Sequence, residues 1–327
     1  MSKVLAGVPA SGYAVQVSNL EKKFGPFTAV TGLSFTIDRG EIFGLLGPNG
    51  SGKTTTLNMI SGLSEPTSGT VEVFGLDPKR QSTAVRRLLG VVPQETALYE
   101  ELTAERNLTF HAELFGFSGN EKKRRVAHML ELAQLTERAK SRAGTFSGGM
   151  KRRLALVRAM LHEPWLMYLD EPTLGVDVQS RNVIWEYIRH MKTEGRSVLL
   201  TTNYLEEVNA LCDRIAVIDH GKLVALDTPA SLKSRYGNSV VEMDVDQSIS
   251  DSLVEKIRLL KDVQSVDTHK TNLRITLRSS ADLDPSSILP RLLEKMSQQG
   301  LGVLHMSLRQ PSMEEVFLAL TGRGLRD

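Results

Sequence analysis

The feature that most constrains this chain is a turn. Gly47-Pro48-Asn49-Gly50-Ser51-Gly52-Lys53-Thr54 follows directly on the continuous apolar run from Ile42 to Leu46. An apolar run of that length reads as a strand covered on both faces, and such strands belong to parallel sheets. The glycines let backbone N–H groups turn inward around an anion, and the helix expected next aims its positive end at the same point. Lys53 can reach the outer phosphates of a nucleotide, and the Thr54 hydroxyl can bind a metal ion. A turn that only joined strand to helix would have no need of Lys-Thr at its end.

The bulk properties set bounds around that turn. A length of 327 residues suggests about two domains. The chain is 41% hydrophobic and 24% charged, with a net charge of +2. Those values fit a globular protein with packed cores, and the charge is too balanced to argue for nucleic acid, which is not expected as a partner. Cys212 is the one cysteine, so no intramolecular disulfide can form. This agrees with a reducing compartment, and Cys212 reads as a small core residue. No run approaches the roughly 18–20 apolar residues that span a bilayer, and the first residues make a poor signal peptide. Any membrane-spanning helices are expected from a partner.

Residues 1–12 read as a flexible tail and 13–236 as the nucleotide-binding domain. Within it, Val15, Val17 and Leu20 alternate as a half-buried strand does, and so does the stretch from Leu33 to Ile37. Residues 80–143 are more charged and carry helical spacing at Leu102, Leu108, His111 and Leu114, which predicts a helical subdomain. The run Glu121-Lys122-Lys123-Arg124-Arg125 reads as a solvated helix face. Strand–helix alternation returns over residues 165–236. Residues 237–327 read as a separate accessory or dimerisation domain. Its order of strand, helix, strand, strand, helix, strand is the ferredoxin-like α+β pattern, with a final helix from Met313 to Leu320. That helix either docks on its own domain or contacts a second subunit.

Two more segments carry chemistry. Tyr168-Leu169-Asp170-Glu171 ends an apolar strand in adjacent carboxylates. Asp170 is placed to hold Mg²⁺ and Glu171 to polarise a water as general base. Taken alone, the pair could equally cap a helix. Phe146-Ser147-Gly148-Gly149-Met150 opens a strongly helical segment, a second helix-start anion site.

With these motifs in this order, residues 15–236 resemble the ATP-binding subunits of ABC transporters. By that resemblance Gly47 through Thr55 form the Walker A motif, Gln94 the Q-loop and Ser147-Gly148-Gly149 the signature motif. Leu166 through Asp170 form Walker B with catalytic Glu171, and Leu174-Gly175-Val176-Asp177 the D-loop. Phe24 resembles the adenine-stacking aromatic, although a core phenylalanine at a strand end is the other reading. The fold implied is an α/β P-loop NTPase of the ABC ATPase type, with a mixed sheet and a helical subdomain. The cofactors implied are ATP and Mg²⁺. Glu171, Lys53, Gln94 and Asn203 are implied as catalytic, and Thr54, Gln94 and Asp170 as metal contacts. Nucleotide contacts are implied at Phe24, Gly47, Asn49, Gly50, Gly52, Lys53, Thr54 and Thr55, with Ser147 and Gly149 acting across a dimer. The partners implied are an integral membrane permease subunit and a second ATP-binding subunit, a homodimer being favoured over a heterodimer. The chain would lie peripherally on the cytoplasmic face of the membrane.

Two departures from the family pattern stand out. Met150 replaces the usual Gln, as it does in the daunorubicin-resistance-like exporter subgroup, which the segment Pro311-Ser312-Met313-Glu314-Glu315-Val316-Phe317-Leu318-Ala319-Leu320-Thr321-Gly322 also resembles. Thr201-Thr202-Asn203-Tyr204 carries Asn where the family has a switch histidine. A hydrogen bond to a charged group contributes roughly 1.5–3 kcal/mol, against about 4 for a full adjacent charge at an effective dielectric of about 20. The shortfall would slow turnover roughly 10–100-fold. The expectation is a slow exporter ATPase, with a scarcely hydrolysing regulatory subunit as the alternative. A soluble ABC ATPase of DNA repair or the ribosome fits less well: no long coiled coil separates P-loop from signature, and there is one cassette.

Overall fold

Among the described residues, nine strands build the first part of the chain: β1 (Val15–Phe24), β2 (Phe27–Ile37), β3 (Ile42–Leu46), β4 (Ser68–Val73), β5 (Leu89–Val92), β6 (Leu166–Asp170), β7 (Ser197–Thr201), β8 (Arg214–Asp219) and β9 (Lys222–Asp227). The computed structural model describes residues 12–278 and 285–322. Apart from Gly12, the expected tail lies outside the described residues.

The strands form a three-stranded antiparallel sheet ordered β2-β1-β4 and a six-stranded sheet ordered β5-β6-β7-β3-β8-β9. All five residues of β3 are buried, as their unbroken apolar character requires of a strand flanked on both edges. Strands β5, β6, β7, β3 and β8 run parallel, so their C-terminal ends meet along one edge of the sheet. Four of those ends lead directly into the segments singled out by sequence. The P-loop follows β3, Asn203 lies just past β7, Asp170 and Glu171 close β6, and Gln94 lies just past β5. Ligand sites of open parallel sheets occur at this edge.

The stretch 80–143 is not wholly helical. Leu89-Gly90-Val91-Val92 forms β5 and pairs in parallel with β6. Four residues are too few to show a helical period, and the valines favour the extended backbone. Helices Ala104–Leu114 and Gly119–Leu132 do pack on each other and on helix Gly148–Met160. The basic run is only partly a solvated face: Lys122 bonds Glu113, and Arg125 Nη1 reaches the Leu161 carbonyl at 3.1 Å and Glu163 at 2.9 Å. Cys212 is buried, its Sγ only 2.9 Å from where a Cβ on Gly44 would sit.

The chain divides into two units at Leu226/Asp227, earlier than a boundary at Gly237. Helix Pro229–Tyr236 packs against helix Met313–Thr321 within the second unit, and Leu232, Met313, Val316 and Phe317 are all buried. The last helix opens with a capping box between Ser312 and Glu315. Between these helices lie β10 (Val240–Val245), β11 (Val263–His269), β12 (Asn272–Leu277) and β13 (Val303–Arg309), an antiparallel sheet ordered β11-β12-β10-β13. Helices Asp251–Arg258 and Leu289–Gln298 complete the ferredoxin-like order. Their apolar residues Leu253, Ile257, Leu292 and Met296 share a core with Val241, Met243, Leu273 and Ile275.

Candidate functional site

The P-loop wraps the start of helix Lys53–Ile60, and two of its glycines have no substitute. Gly52 sits at φ 100° as the residue before the helix, and a Cβ there would lie 2.6 Å from the Ala29 carbonyl. At Gly47 a Cβ would lie 2.2 Å from the Ile218 carbonyl and 2.5 Å from Ser51 Oγ. Close packing against β2 and β8 therefore fixes the loop from behind. In front lies a cleft of about 270 Å³ lined by Asn49, Gly50, Ser51, Gly52, Lys53, Thr54 and Thr55 on one side. Gln94, Asp170 and Glu171 line the other. Lys53 Nζ donates to the carbonyls of Gly47 (2.5 Å) and Pro48 (3.0 Å). Burial lowers the pKa of this ammonium, and the charges of Glu171 and Asp170 oppose that shift.

The carboxylate wall is assembled from afar. Gln94 Nε2 donates to Glu171 Oε2 at 2.8 Å, across 77 residues of sequence. Asn203 Nδ2 donates to Glu171 Oε1 at 2.5 Å. Thr201 Oγ1 donates to Asp170 Oδ1. The Glu171 backbone N–H reaches the Thr201 carbonyl at 2.9 Å, with Glu171 itself in the left-handed region at φ 47°. A carboxylate so held, facing a lysine and a ring of backbone amides, can orient and deprotonate a water beside a bound phosphate.

The oxygens of Thr54, Gln94 and Asp170 form a hard donor set of the kind Mg²⁺ takes alongside phosphate oxygens. Ser51 Oγ is buried with no hydrogen-bond partner, as a hydroxyl awaiting an anion would be. The residues present thus fit a magnesium nucleotide.

Of the expected nucleotide contacts, Phe24 and Gly47 do not line this cleft, and Ser147 and Gly149 lie outside it, as contacts made across a dimer would. Phe27, 62% exposed, lines the cleft, whereas Phe24, its cross-strand partner, does not and carries Lys22 Nζ over its ring. Ser147 and Gly149 do not line the cleft of their own chain. Ser147 caps helix Gly148–Met160 by accepting from the Met150 N–H, and Gly149 packs against Ser180.

Two buried groups near the carboxylates were not singled out by sequence. Arg152 is 4% exposed and donates to backbone carbonyls on both sides of the carboxylate wall. Its signal was legible: positions 152, 155, 156 and 159 share one helix face, and the other three are buried Ala155, Leu156 and Ala159. Glu207 is fully buried and accepts from Thr173 Oγ1 (3.0 Å) and Trp185 Nε1 (3.1 Å). Burial raises its pKa, against the pull of its hydrogen bonds and of Arg152. Helical spacing sets Glu207 apart from Glu206, because Leu211 follows it at i+4 on the buried face whereas Glu206 is followed by Asn209 and Ala210.

Comparison with known proteins decides what this edge of the sheet belongs to. The ABC transporter family profile matches residues 30–174, and that of the DrrA1-3-like ATP-binding protein C-terminal domain matches residues 228–321. The linearmycin resistance ATP-binding protein LnrL of Bacillus subtilis is 41% identical over 313 residues, 96% of this chain and 100% of its own. This chain is an ABC transporter ATP-binding subunit. Its C-terminal unit marks the daunorubicin-resistance-like type. The daunorubicin/doxorubicin resistance ATP-binding protein DrrA of Streptomyces peucetius is 38% identical over 96% of this chain and 94% of its own. Among solved structures, an ATP-binding subunit of an ABC transporter superposes with a TM-score of 0.62 at 33% identity, covering 67% of this chain and 92% of its own. A dimeric ATP-binding cassette in a post-hydrolysis state with ADP and Pi superposes at 0.60 with 27% identity, covering 65% and 98%. The ATP-binding subunit described here is accordingly an ATP hydrolase coupled to transmembrane transport. No helix among the described residues is long and apolar enough to cross a membrane.

Proposed function

We propose that this subunit drives an exporter by pairing head to tail with a second copy of itself on the cytoplasmic face of a membrane permease. The observation that carries this reading is the Gln94–Glu171–Asn203 cluster, hydrogen-bonded at the mouth of the P-loop cleft. The backbone of Gly47, Asn49, Gly50 and Gly52, with Thr54 and Thr55 beside them, cradles the phosphates, and Lys53 binds the outer ones. Thr54 and Asp170, with Gln94 nearby, would hold Mg²⁺, which would supply neutralisation of phosphate charge. Glu171 takes the proton of the attacking water, and Gln94 and Asn203 orient its carboxylate. Ser147 and Gly149, outside their own cleft, meet the γ-phosphate held by the other copy. The outward direction comes from relatives named for drug resistance and for Nod factor export. Residues 237–327 act as the accessory or dimerisation part.

A neutral amide at Asn203 supports slow turnover and keeps a second reading open, that of a subunit regulating a more active partner. Phosphate release by the purified complex tests both. Glu171→Gln should lower kcat about 10²–10⁴-fold with ATP binding retained. Asn203→His should raise kcat by up to roughly 10–100-fold. Full activity in Glu171→Gln would remove the general base from this scheme. An unchanged or lower rate in Asn203→His would show that the amide is not what slows it.

A further inference from the structure

Among the buried charged groups outside the nucleotide cleft, Arg152 has the most complete set of partners. Its Nε donates to the Pro172 carbonyl at 2.8 Å, and Nη1 to those of Pro93 (2.8 Å) and Gln94 (3.0 Å). Nη2 donates to the carbonyls of Glu171 (2.6 Å) and Asp170. A guanidinium has five N–H groups in a rigid planar fork, and here each has a backbone acceptor. Those acceptors come from two loops, the one after β5 and the one closing β6.

The geometry of those loops explains why such a fork is needed. Glu171 holds φ 47°, a conformation uncommon for a residue with a side chain, and it persists only where surroundings over-determine it. Arg152 grips the carbonyls of Glu171 and of the residues on either side of it. Glu207 holds the next residue, Thr173, by its hydroxyl. The same guanidinium grips the Gln94 backbone, whose side chain donates to Glu171. Arg152 also lies in the first turns of helix Gly148–Met160, headed by Ser147. Any displacement of that helix is therefore passed to Gln94 and Glu171 together.

We propose that Arg152 is a positioning residue for hydrolysis, one that fixes the Gln94 loop and the Glu171 segment at a set separation and ties both to the helix bearing Ser147 and Gly149. This rests on the reading of Glu171 as general base. Lysine cannot replace it, because one ammonium with three donors cannot span carbonyls from two loops.

The test uses Arg152→Lys and Arg152→Met in the full-length chain. Steady-state hydrolysis, equilibrium binding of a fluorescent ATP analogue and thermal melting are measured together. Arg152→Lys should lower kcat about 10–100-fold and leave nucleotide affinity within about threefold, because the misplaced groups act on the water and not on the bound phosphates. Adding Gln94→Ala to Arg152→Lys should cost much less than Gln94→Ala alone, since the residues act as one unit. An unchanged kcat in Arg152→Lys overturns the proposal. So does a parallel loss of kcat, affinity and melting temperature, or full additivity with Gln94→Ala. Should Arg152→Met fail to fold, the Arg152→Lys and Gln94→Ala comparison still decides. If Glu171→Gln keeps wild-type turnover, the reading of Glu171 fails by itself, whatever the Arg152 variants do.

Discussion

The P-loop wall of the nucleotide cleft comes from one contiguous stretch, whereas the opposite wall brings together Gln94, Asp170 and Glu171, with Asn203 bonded to Glu171, from segments at the ends of three different strands. The first wall is mostly backbone. Its shape follows from glycines pressed against the Ile218 and Ala29 carbonyls. The second is mostly side chain, and it depends on the register of β5, β6 and β7 in one sheet. Binding of phosphate is therefore a local property of this chain, while placement of the reacting water is a property of the whole first unit. The two walls should fail in different ways.

The sharpest way to separate them is Gly47→Ala. A methyl at that point would sit 2.2 Å from the Ile218 carbonyl, and forcing it in costs about 1–3 kcal/mol or more. ATP affinity should fall about 5–150-fold, in contrast to Glu171→Gln, which keeps it. Wild-type affinity in Gly47→Ala, measured by titration calorimetry, would break the distinction.

A smaller effect should strike the carboxylate wall alone. Behind β5 and β6, His162 Nε2 contacts the Leu89 carbonyl at 2.9 Å, and its ring stacks on Phe115 at 3.8 Å between centroids. His111 lies 5.9 Å from His162, ring to ring. Burial holds both pKa values down to about 4, with repulsion from Arg158 and His162 adding to it at His111. At His162 the Leu89 carbonyl opposes the shift, while Arg196 and Arg125 reinforce it. A histidine whose folded pKa is depressed stabilises fully above its unfolded value of about 6.5 and loses that contribution as pH falls towards the folded value. Between pH 6.5 and 4 each ring should withdraw on the order of 1–3 kcal/mol. Hydrogen exchange across that range should loosen β5 and β6 before the P-loop helix. His162→Gln should remove about half of the pH-dependent loss, the rest coming from His111, and equal loosening of both walls would contradict the account.

The smallest effect concerns the rim. Phe27→Ala should raise KM for ATP a few-fold, in line with about 0.5–1.5 kcal/mol for an aromatic stack. Phe24→Ala should do less, since Phe24 does not line the cleft. A larger effect of Phe24→Ala would return the adenine contact to that ring.

How much of this was legible in sequence follows the same division. The P-loop, the carboxylate pair, the helix headed by Ser147 and the ferredoxin-like order of the second unit could all be read from local pattern. Each is fixed by neighbours a few residues apart. β5 was not, because Leu-Gly-Val-Val is too short to show a period and becomes a strand only by pairing with β6. Helix Pro229–Tyr236 looked like the end of one unit and packs in the other. The Phe24 and Phe27 rings differ by a hairpin turn that alternation alone does not resolve.

By itself, then, the sequence determined that a nucleotide phosphate would be bound, and by which loop. Backbone conformation and a helix terminus suffice for that, and both are written in adjacent residues. Only the tertiary structure decided how Glu171 is held. Its amide partners Gln94 and Asn203, and the Arg152 fork beneath it, converge from segments dozens of residues apart. Long-range convergence of that kind is set by strand order, and no local pattern records it.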